Sequence, residues 1–281
     1  MPKISFTKMN GLGNDFVILD HDSYKQTGKT PKELAISLCD RHFGIGADGL
    51  IIVNPNTTET DIGWIFYNND GSIAQMCGNG IRCFSKYVYD KGYVNKKEFS
   101  VETKAGTIIP KILEDGRVRV NMSKPILEPA KIPVNTEHNL DFEVKVSDRT
   151  FIANAVSMGN PHCIIITDED TKALALKYGS EIENNKLFPE KTNVEFIKIL
   201  SRNEINLDVW ERGCAITLAC GTGACASVTA AILHGLCDSK VKVNLPGGQL
   251  VIEWAGSKDD TAYDIFMSGP ADYSFEGTVI I

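Results

Sequence analysis

Two cysteines occupy matching places in this chain, Cys77 in "MCGNGIRC" and Cys220 in "LACGTGACA". Each is followed directly by Gly-x-Gly and then by a helical pattern of about three turns, closed by Gly92 or Gly235. The first turn of a helix exposes unpaired N–H groups and partial positive charge, so it receives an anion such as a carboxylate. Glycines at 78, 80, 221 and 223 leave the backbone open to that anion. The same field favours a thiolate and is expected to draw a cysteine pKa from about 8.5 toward neutrality. Each motif therefore offers a carboxylate cradle and a thiol able to give or take a proton.

Two such thiols on either side of one carbon define a reaction. One thiolate removes the proton next to the carboxylate; the other thiol returns a proton to the opposite face, and the stereocentre inverts. The carbanion is stabilised by the two helix ends, so the expected cofactor is none and the expected metal is none. A single cysteine would suit a covalent nucleophile. A redox dithiol or a zinc site would favour C-x-x-C, which is absent from the sequence. Cys39, Cys163 and Cys237 read as small buried hydrophobes.

The elements that carry these motifs repeat. "VETKAGTIIPKI" after the first helix corresponds to "VNLPGGQLVIEW" after the second, and "GWIFYNNDGS" before the first to "NLDVWERGCA" before the second. Asn14 in "GLGNDFVILD" and Asn160 in "SMGNPHCIIIT" each stand before a strand near the start of their half. Alternation in "GRVRVNM" and "FEVKVSD" indicates antiparallel strands with one wet face. The helix in "GACASVTAAILHG" is apolar nearly all round and is expected inside a curled sheet, whereas Arg82, Lys86 and Asp90 give the first helix a polar stripe. The expected class is α/β (α+β): two pseudo-symmetric domains, each a curled, mostly antiparallel sheet around a central helix, with the active site in the cleft between them. The expected boundaries are 1–122 plus 268–281 for the half carrying Cys77 and 123–267 for the half carrying Cys220.

Two glycine motifs are decoys. "GIGADG" at 44–49 is followed by the strand "LIIV", which is the wrong order for a dinucleotide fingerprint. "GTGACA" opens a helix, but "CAITLAC" before it is a poor strand and no acidic ribose ligand follows. Composition narrows the field further. The chain has 281 residues, 43% hydrophobic and 23% charged, as in soluble globular proteins. A net charge of -7 without a long basic cluster argues against nucleic acid. No apolar run reaches the roughly 18 residues of a membrane span, and the amino terminus lacks a signal-like stretch, so the expected location is the cytoplasm.

Beyond these patterns, "KMNGLGNDFVILD", "FYNNDGSIAQMCGNGIRC", "VSMGNPHCIII", "KTNVEFI", "VWERG" and "LACGTGACA" occur in one order along nearly the whole chain. In these stretches the sequence resembles the diaminopimelate epimerase family. The resemblance implies interconversion of LL- and meso-2,6-diaminopimelate, in lysine and peptidoglycan precursor synthesis, by an enzyme that is often a homodimer. It implies that Cys77 and Cys220 are the acid/base pair, tuned by His162 and Glu211. It places Gly78, Asn79, Gly221 and Thr222 at the reacting carboxylate, and Asn14, Asn68, Asn160, Asn193, Glu211 and Arg212 around the rest of the substrate. The roles suit the molecule: Arg212 offers a planar fork for the distal carboxylate, Glu211 accepts from an ammonium, and asparagines both donate and accept.

Four positions depart from the pattern this resemblance implies. Ala215 and Ile216 replace a Gly-Glu pair, Gly49 stands where some relatives have Gln, and Cys214 adds a thiol near Cys220. The rival functions are a proline or hydroxyproline racemase-like enzyme, which would lack the distal clamp; a member of the same fold that lost catalysis or an isomerase that uses a carboxylate base, against which the retention of both cysteines argues; and a thiol-based binding or redox-sensing module, which would exchange disulfides without labelling an amino acid from solvent.

Overall fold

The computed structural model describes residues 3–74 and 76–281. Residues 1 and 2, and Gln75 within the first cysteine stretch, lie outside the described residues. The chain forms two compact units, Met1–Val120 with Gly269–Ile281, and Asn121–Ser268.

In the first unit the strand Lys3–Gly11 runs antiparallel to both Asp272–Ile280 and Asn14–Leu19. Gly49–Asn54 then pairs parallel to Asn14–Leu19, Ile62–Asn68 antiparallel, Val101–Thr103 parallel and Gly106–Ile108 antiparallel. The second unit repeats this succession. Thr150–Ser157 is antiparallel to Phe142–Lys145 and to Pro161–Ile166. Asn193–Ser201 follows parallel, Glu204–Glu211 antiparallel, Lys240–Leu245 parallel and Gly248–Trp254 antiparallel. The duplication read from the cysteine motifs thus extends to the order of pairings.

A parallel pairing requires a crossover connection. Each unit has two, and each crossover carries a helix: Pro31–Cys39 and Gly78–Asp90 in the first unit, Thr171–Glu183 and Gly221–Leu233 in the second. The sequence reading anticipated only the second helix of each pair. Pro31–Cys39 starts with a capping box between Thr30 and Glu33, worth about 1 kcal/mol. Its Leu34, Ala35 and Leu38 pack with Val17, Leu19, Leu50 and Ile52. On Thr171–Glu183, Leu174, Ala175, Tyr178 and Ile182 pack with Phe151, Ala153, Cys163 and Phe196 in the same way.

The opposite face of each sheet holds the cysteine-bearing helix. Phe16 and Phe66 meet edge to face at 5.8 Å, and Trp64 joins Phe84 of the helix at 5.8 Å. Covering both faces explains why "LIIV" is an uninterrupted apolar run rather than an alternating one. Gly221–Leu233 touches five strands of its unit, Thr150–Ser157, Pro161–Ile166, Asn193–Ser201, Glu204–Glu211 and Gly248–Trp254, as an all-round apolar helix should. The polar stripe expected on Gly78–Asp90 is only partly present. Lys86 and Asp90 form a half-exposed ion pair at 2.8 Å, but Arg82 is completely buried. No helix among the described residues is long and apolar enough to cross a membrane.

Candidate active site

Cys77 is the N-cap of Gly78–Asp90, in extended conformation, and its Sγ accepts the Gly80 N–H at 3.4 Å. Cys220 caps Gly221–Leu233 identically, with Sγ accepting the Gly223 N–H at 3.3 Å. Sulfur therefore occupies the place where a serine or aspartate oxygen normally satisfies the orphan donors of a helix start. The two half-sites share this backbone and differ in what surrounds it.

In the first half-site a two-residue turn, Leu12 and Gly13, both at positive φ (61° and 86°), delivers Asn14 to the start of its strand. Asn14 Oδ1 accepts from Cys77 Sγ at 3.5 Å and from Asn79 Nδ2 at 3.2 Å. Asn14 Nδ2 donates to Asp48 Oδ2 at 2.7 Å. Arg82 donates from Nη1 to Gly78 O at 3.1 Å and to Asn79 Oδ1 at 2.9 Å, and from Nε to Pro270 O at 3.0 Å. Gly11 allows this close approach: a Cβ would lie 3.0 Å from Arg82 Nη2 and 3.2 Å from Asn79 O, which would then have to give by a few tenths of an ångström. Asn68 lies across the ladder from Gly49, with its amide donating to Ser72 Oγ at 2.9 Å. Gly49 has its own packing reason: a Cβ there would meet the Phe66 ring at 2.6 Å.

In the second half-site His162 and Glu195 are fully buried, with Nδ1 and Oε1 2.7 Å apart. His162 Nε2 lies 3.1 Å from Asn160 Oδ1, and Asn160 Nδ2 donates to Thr222 Oγ1 at 3.4 Å. Thr222 Oγ1 is 3.5 Å from Cys220 Sγ. Because the Asn160 oxygen only accepts, His162 Nε2 is the donor in that bond, and Nδ1 faces Glu195. Glu211 accepts from the Thr217 hydroxyl. Asn193 is paired in register with His162, donates to Pro161 O at 2.8 Å and accepts the Arg212 N–H at 3.0 Å. The Arg212 guanidinium donates to Glu190 O at 3.0 Å.

Electrostatics correct one expectation. Burial, then the Glu211 and Glu195 carboxylates, push the Cys220 thiol well above its ordinary pKa. The Thr222 hydroxyl and the Gly223 N–H pull it back without reversing the direction. The helix start is therefore outweighed, and this thiol rests protonated. Burial also raises Glu195, opposed by His162, and raises Glu211, opposed by Thr217.

His162, Glu195 and Cys220 bring three ligand-type atoms within 4.8 Å of one another. Both His162 nitrogens are already engaged, by Glu195 and by Asn160, so a metal there would have to break the pair. Sequence reasoning missed Glu195, Asp48 and the burial of Arg82. The available signals were a carboxylate inside the apolar strand "NVEFIKIL", an aspartate in the discarded "GIGADG", and an arginine one turn after Gly78.

With this geometry in hand, comparison with known proteins is decisive. The family model described as Diaminopimelate epimerase matches residues 6–128 and again 154–274. The chain belongs to the diaminopimelate epimerase family. A relative from Halothermothrix orenii named diaminopimelate epimerase is 46% identical over 99% of this chain and 99% of its own. One from Trichodesmium erythraeum, of the same name, is 44% identical over 98% and 99%. Among solved structures, a Bacillus anthracis phenazine biosynthesis protein of the PhzF family superposes with a TM-score of 0.71 at 16% identity over all of both chains. A hydroxyproline epimerase from Agrobacterium vitis gives 0.68 at 14% identity, over 99% of this chain and 92% of that one. At these identities the structural likeness concerns the fold alone.

Proposed function

We propose that this protein interconverts LL- and meso-2,6-diaminopimelate, supplying lysine and peptidoglycan precursors, with Cys77 and Cys220 acting from opposite faces on one α-carbon. The supporting observation is the pair of equivalent helix N-caps in two units of the same pairing order, each a cysteine whose sulfur takes the N–H of the third helical residue. One thiolate removes the α proton, and the other thiol reprotonates the opposite face. The N–H groups of the two first turns, at Gly78, Asn79, Gly221 and Thr222, receive the reacting carboxylate and offset the charge that builds on it. Organic cofactor and metal have no part in this scheme.

On the Cys220 side, a carboxyl held above its usual range is a better acceptor for the thiol proton than an exposed one. Glu211 fills that role, and the His162–Glu195 pair holds Asn160 and Thr222 in place. Asn14, Asn68, Asn160, Asn193 and Arg212 bind the remaining polar groups of the substrate. The protein acts in the cytoplasm as a homodimer. The edge strand Asp272–Ile280 offers a surface for the second copy, with Phe275 51% exposed and Ile280 66%. Light scattering that finds only monomer would remove that part of the reading.

The test is LL-diaminopimelate in deuterated water, with wild type, Cys77→Ala and Cys220→Ala. Wild type should place deuterium at the inverted centre, and loss of either thiol should cost at least the 10²–10⁴-fold typical of a general acid or base. Substantial inversion by either variant would refute the two-thiol scheme. Turnover of proline in place of diaminopimelate would refute the substrate.

A further inference from the structure

The first half-site contains a hydrogen-bond chain whose direction is fixed by chemistry at both ends. Arg82 can only donate, and it donates to Asn79 Oδ1 at 2.9 Å. Asn79 Nδ2 donates to Asn14 Oδ1 at 3.2 Å, and Asn14 Nδ2 donates to Asp48 Oδ2 at 2.7 Å. A carboxylate only accepts, so neither amide can turn over without setting donor against donor or acceptor against acceptor. Asp48 is itself fixed. Its Oδ2 accepts the Asp15 N–H at 3.0 Å, and its Oδ1 takes Arg41 Nη2 at 2.8 Å. Cys77 meets this chain at the Asn14 oxygen, 3.5 Å from Sγ.

We propose that Arg82 and Asp48 are positioning residues of the reaction, which lock the Asn14 amide with its oxygen toward Cys77 and so hold Cys77 as the neutral thiol before substrate binds. An acceptor facing sulfur stabilises S–H and opposes thiolate, against the pull of the helix start. The second half-site has the opposite polarity. There His162 Nε2–H takes the Asn160 oxygen, which turns the Asn160 amide N–H toward Thr222. Thr222 Oγ1 accepts that N–H, and its hydroxyl hydrogen is free to turn toward Cys220 Sγ, 3.5 Å away. The duplicated asparagines thus present an acceptor to one thiol and, through Thr222, a donor to the other. Cys77 therefore meets the substrate still carrying its proton, and the proton that leaves before reaction is the one Glu211 takes from Cys220. The inference rests on Cys77 being one of the two acid/base thiols.

The test is the pH dependence of iodoacetamide alkylation of Cys77, followed by peptide mass spectrometry on the full-length enzyme without substrate. This readout does not involve turnover, so a failed epimerisation assay and a failed chain are told apart. Wild-type Cys77 should alkylate with an apparent pKa at or above the roughly 8.5 of an ordinary thiol. Asp48→Ala frees the Asn14 amide and should lower that pKa by about one unit. Thiolate at pH 7 then rises about tenfold, and alkylation about threefold once the weaker nucleophilicity of a less basic thiolate is counted. Arg82→Met, which frees Asn79 from the other end, should move it the same way.

Asp48→Asn keeps an acceptor for two partly buried donors and gives up only the exposed Arg41 contact, so it should restore the wild-type profile. Arg41→Met should leave that profile in place. A wild-type pKa near or below 7 would overturn the proposal, and this measurement needs no variant to fold. An equal shift in Asp48→Asn and Asp48→Ala would also overturn it, because the cause would then be lost charge rather than amide direction.

Discussion

Gly80 and Gly223 occupy the same position in the two cysteine motifs, and replacing each by alanine should have opposite effects. In a helix, alanine is favoured over glycine by up to about 1 kcal/mol. At Gly80 the added Cβ would meet Phe16 and Trp64 at 3.4 Å and Cys77 Cβ at 3.5 Å, all ordinary contacts. Gly80→Ala should therefore be neutral to about 1 kcal/mol stabilising. At Gly223 the Cβ would lie 2.6 Å from Glu195 Oε1 and 3.2 Å from Cys220 Sγ. Glu195 cannot retreat freely, because that oxygen is 2.7 Å from His162 Nδ1 and both side chains are fully buried. Overpacking of this kind costs about 1–3 kcal/mol, and parting a buried pair adds about 3–5. After the helix gain, Gly223→Ala should lose at least about 1–2 kcal/mol, or roughly 2–8 °C in Tm. Urea unfolding and scanning calorimetry read the stability, and deuterium incorporation reads the site. A Gly223→Ala protein as stable and active as wild type would refute the claim that this glycine exists to admit Glu195.

The other predictions concern the Cys220 side. Burial raises Glu211 above its ordinary carboxyl pKa of 4.5, so the folded state holds its proton to higher pH than the unfolded state does. Stability from this group therefore falls as pH rises from about 4.5 through the raised value. Glu211→Gln should accordingly be more stable than wild type in urea at pH 8, should lose that advantage below about pH 4.5, and should be inactive; an equal gain at both pH values would contradict the assignment. Ala215 holds φ 61°, a conformation that costs a non-glycine residue about 1 kcal/mol or more. Ala215→Gly should raise Tm by about 2–4 °C, and no change would mean the hairpin relaxes in solution. Arg212→Lys should lower kcat/KM for diaminopimelate strongly, because a point charge does not reproduce the planar fork; unchanged kinetics would remove Arg212 from the substrate.

The sequence disclosed the parts of the site that depend on local backbone. Cys77 and Cys220 read as helix starts because glycines follow them, and Asn14 and Asn160 read as strand openings because Gly-Asn precedes an apolar run. The helices Pro31–Cys39 and Thr171–Glu183 were not legible, because each presents one narrow apolar face to an already apolar sheet and no chemistry marks it. Arg82 was misplaced for a related reason. Spacing by four puts it on the side of Lys86 and Asp90, but Gly11 leaves room beneath the helix start and draws the guanidinium inward. Glu195 and Asp48 act on residues distant in sequence, at His162 and Asn14, so only the sheet pairings bring them to the site. The lowered thiol pKa expected from the helix start was overruled at Cys220 by burial first, and then by carboxylates that come from two other strands.

The strand Asp272–Ile280 has a consequence for how the protein is made. It runs beside Lys3–Gly11 from Lys3 opposite Ile280 to Asn10 opposite Asp272. The first unit therefore waits, during synthesis, for a segment translated after all of the second. As the chain leaves the ribosome, the later half can mature while the earlier half still exposes an incomplete sheet edge. The amino-terminal half emerges first, and its sheet is completed only when Asp272–Ile280 arrives.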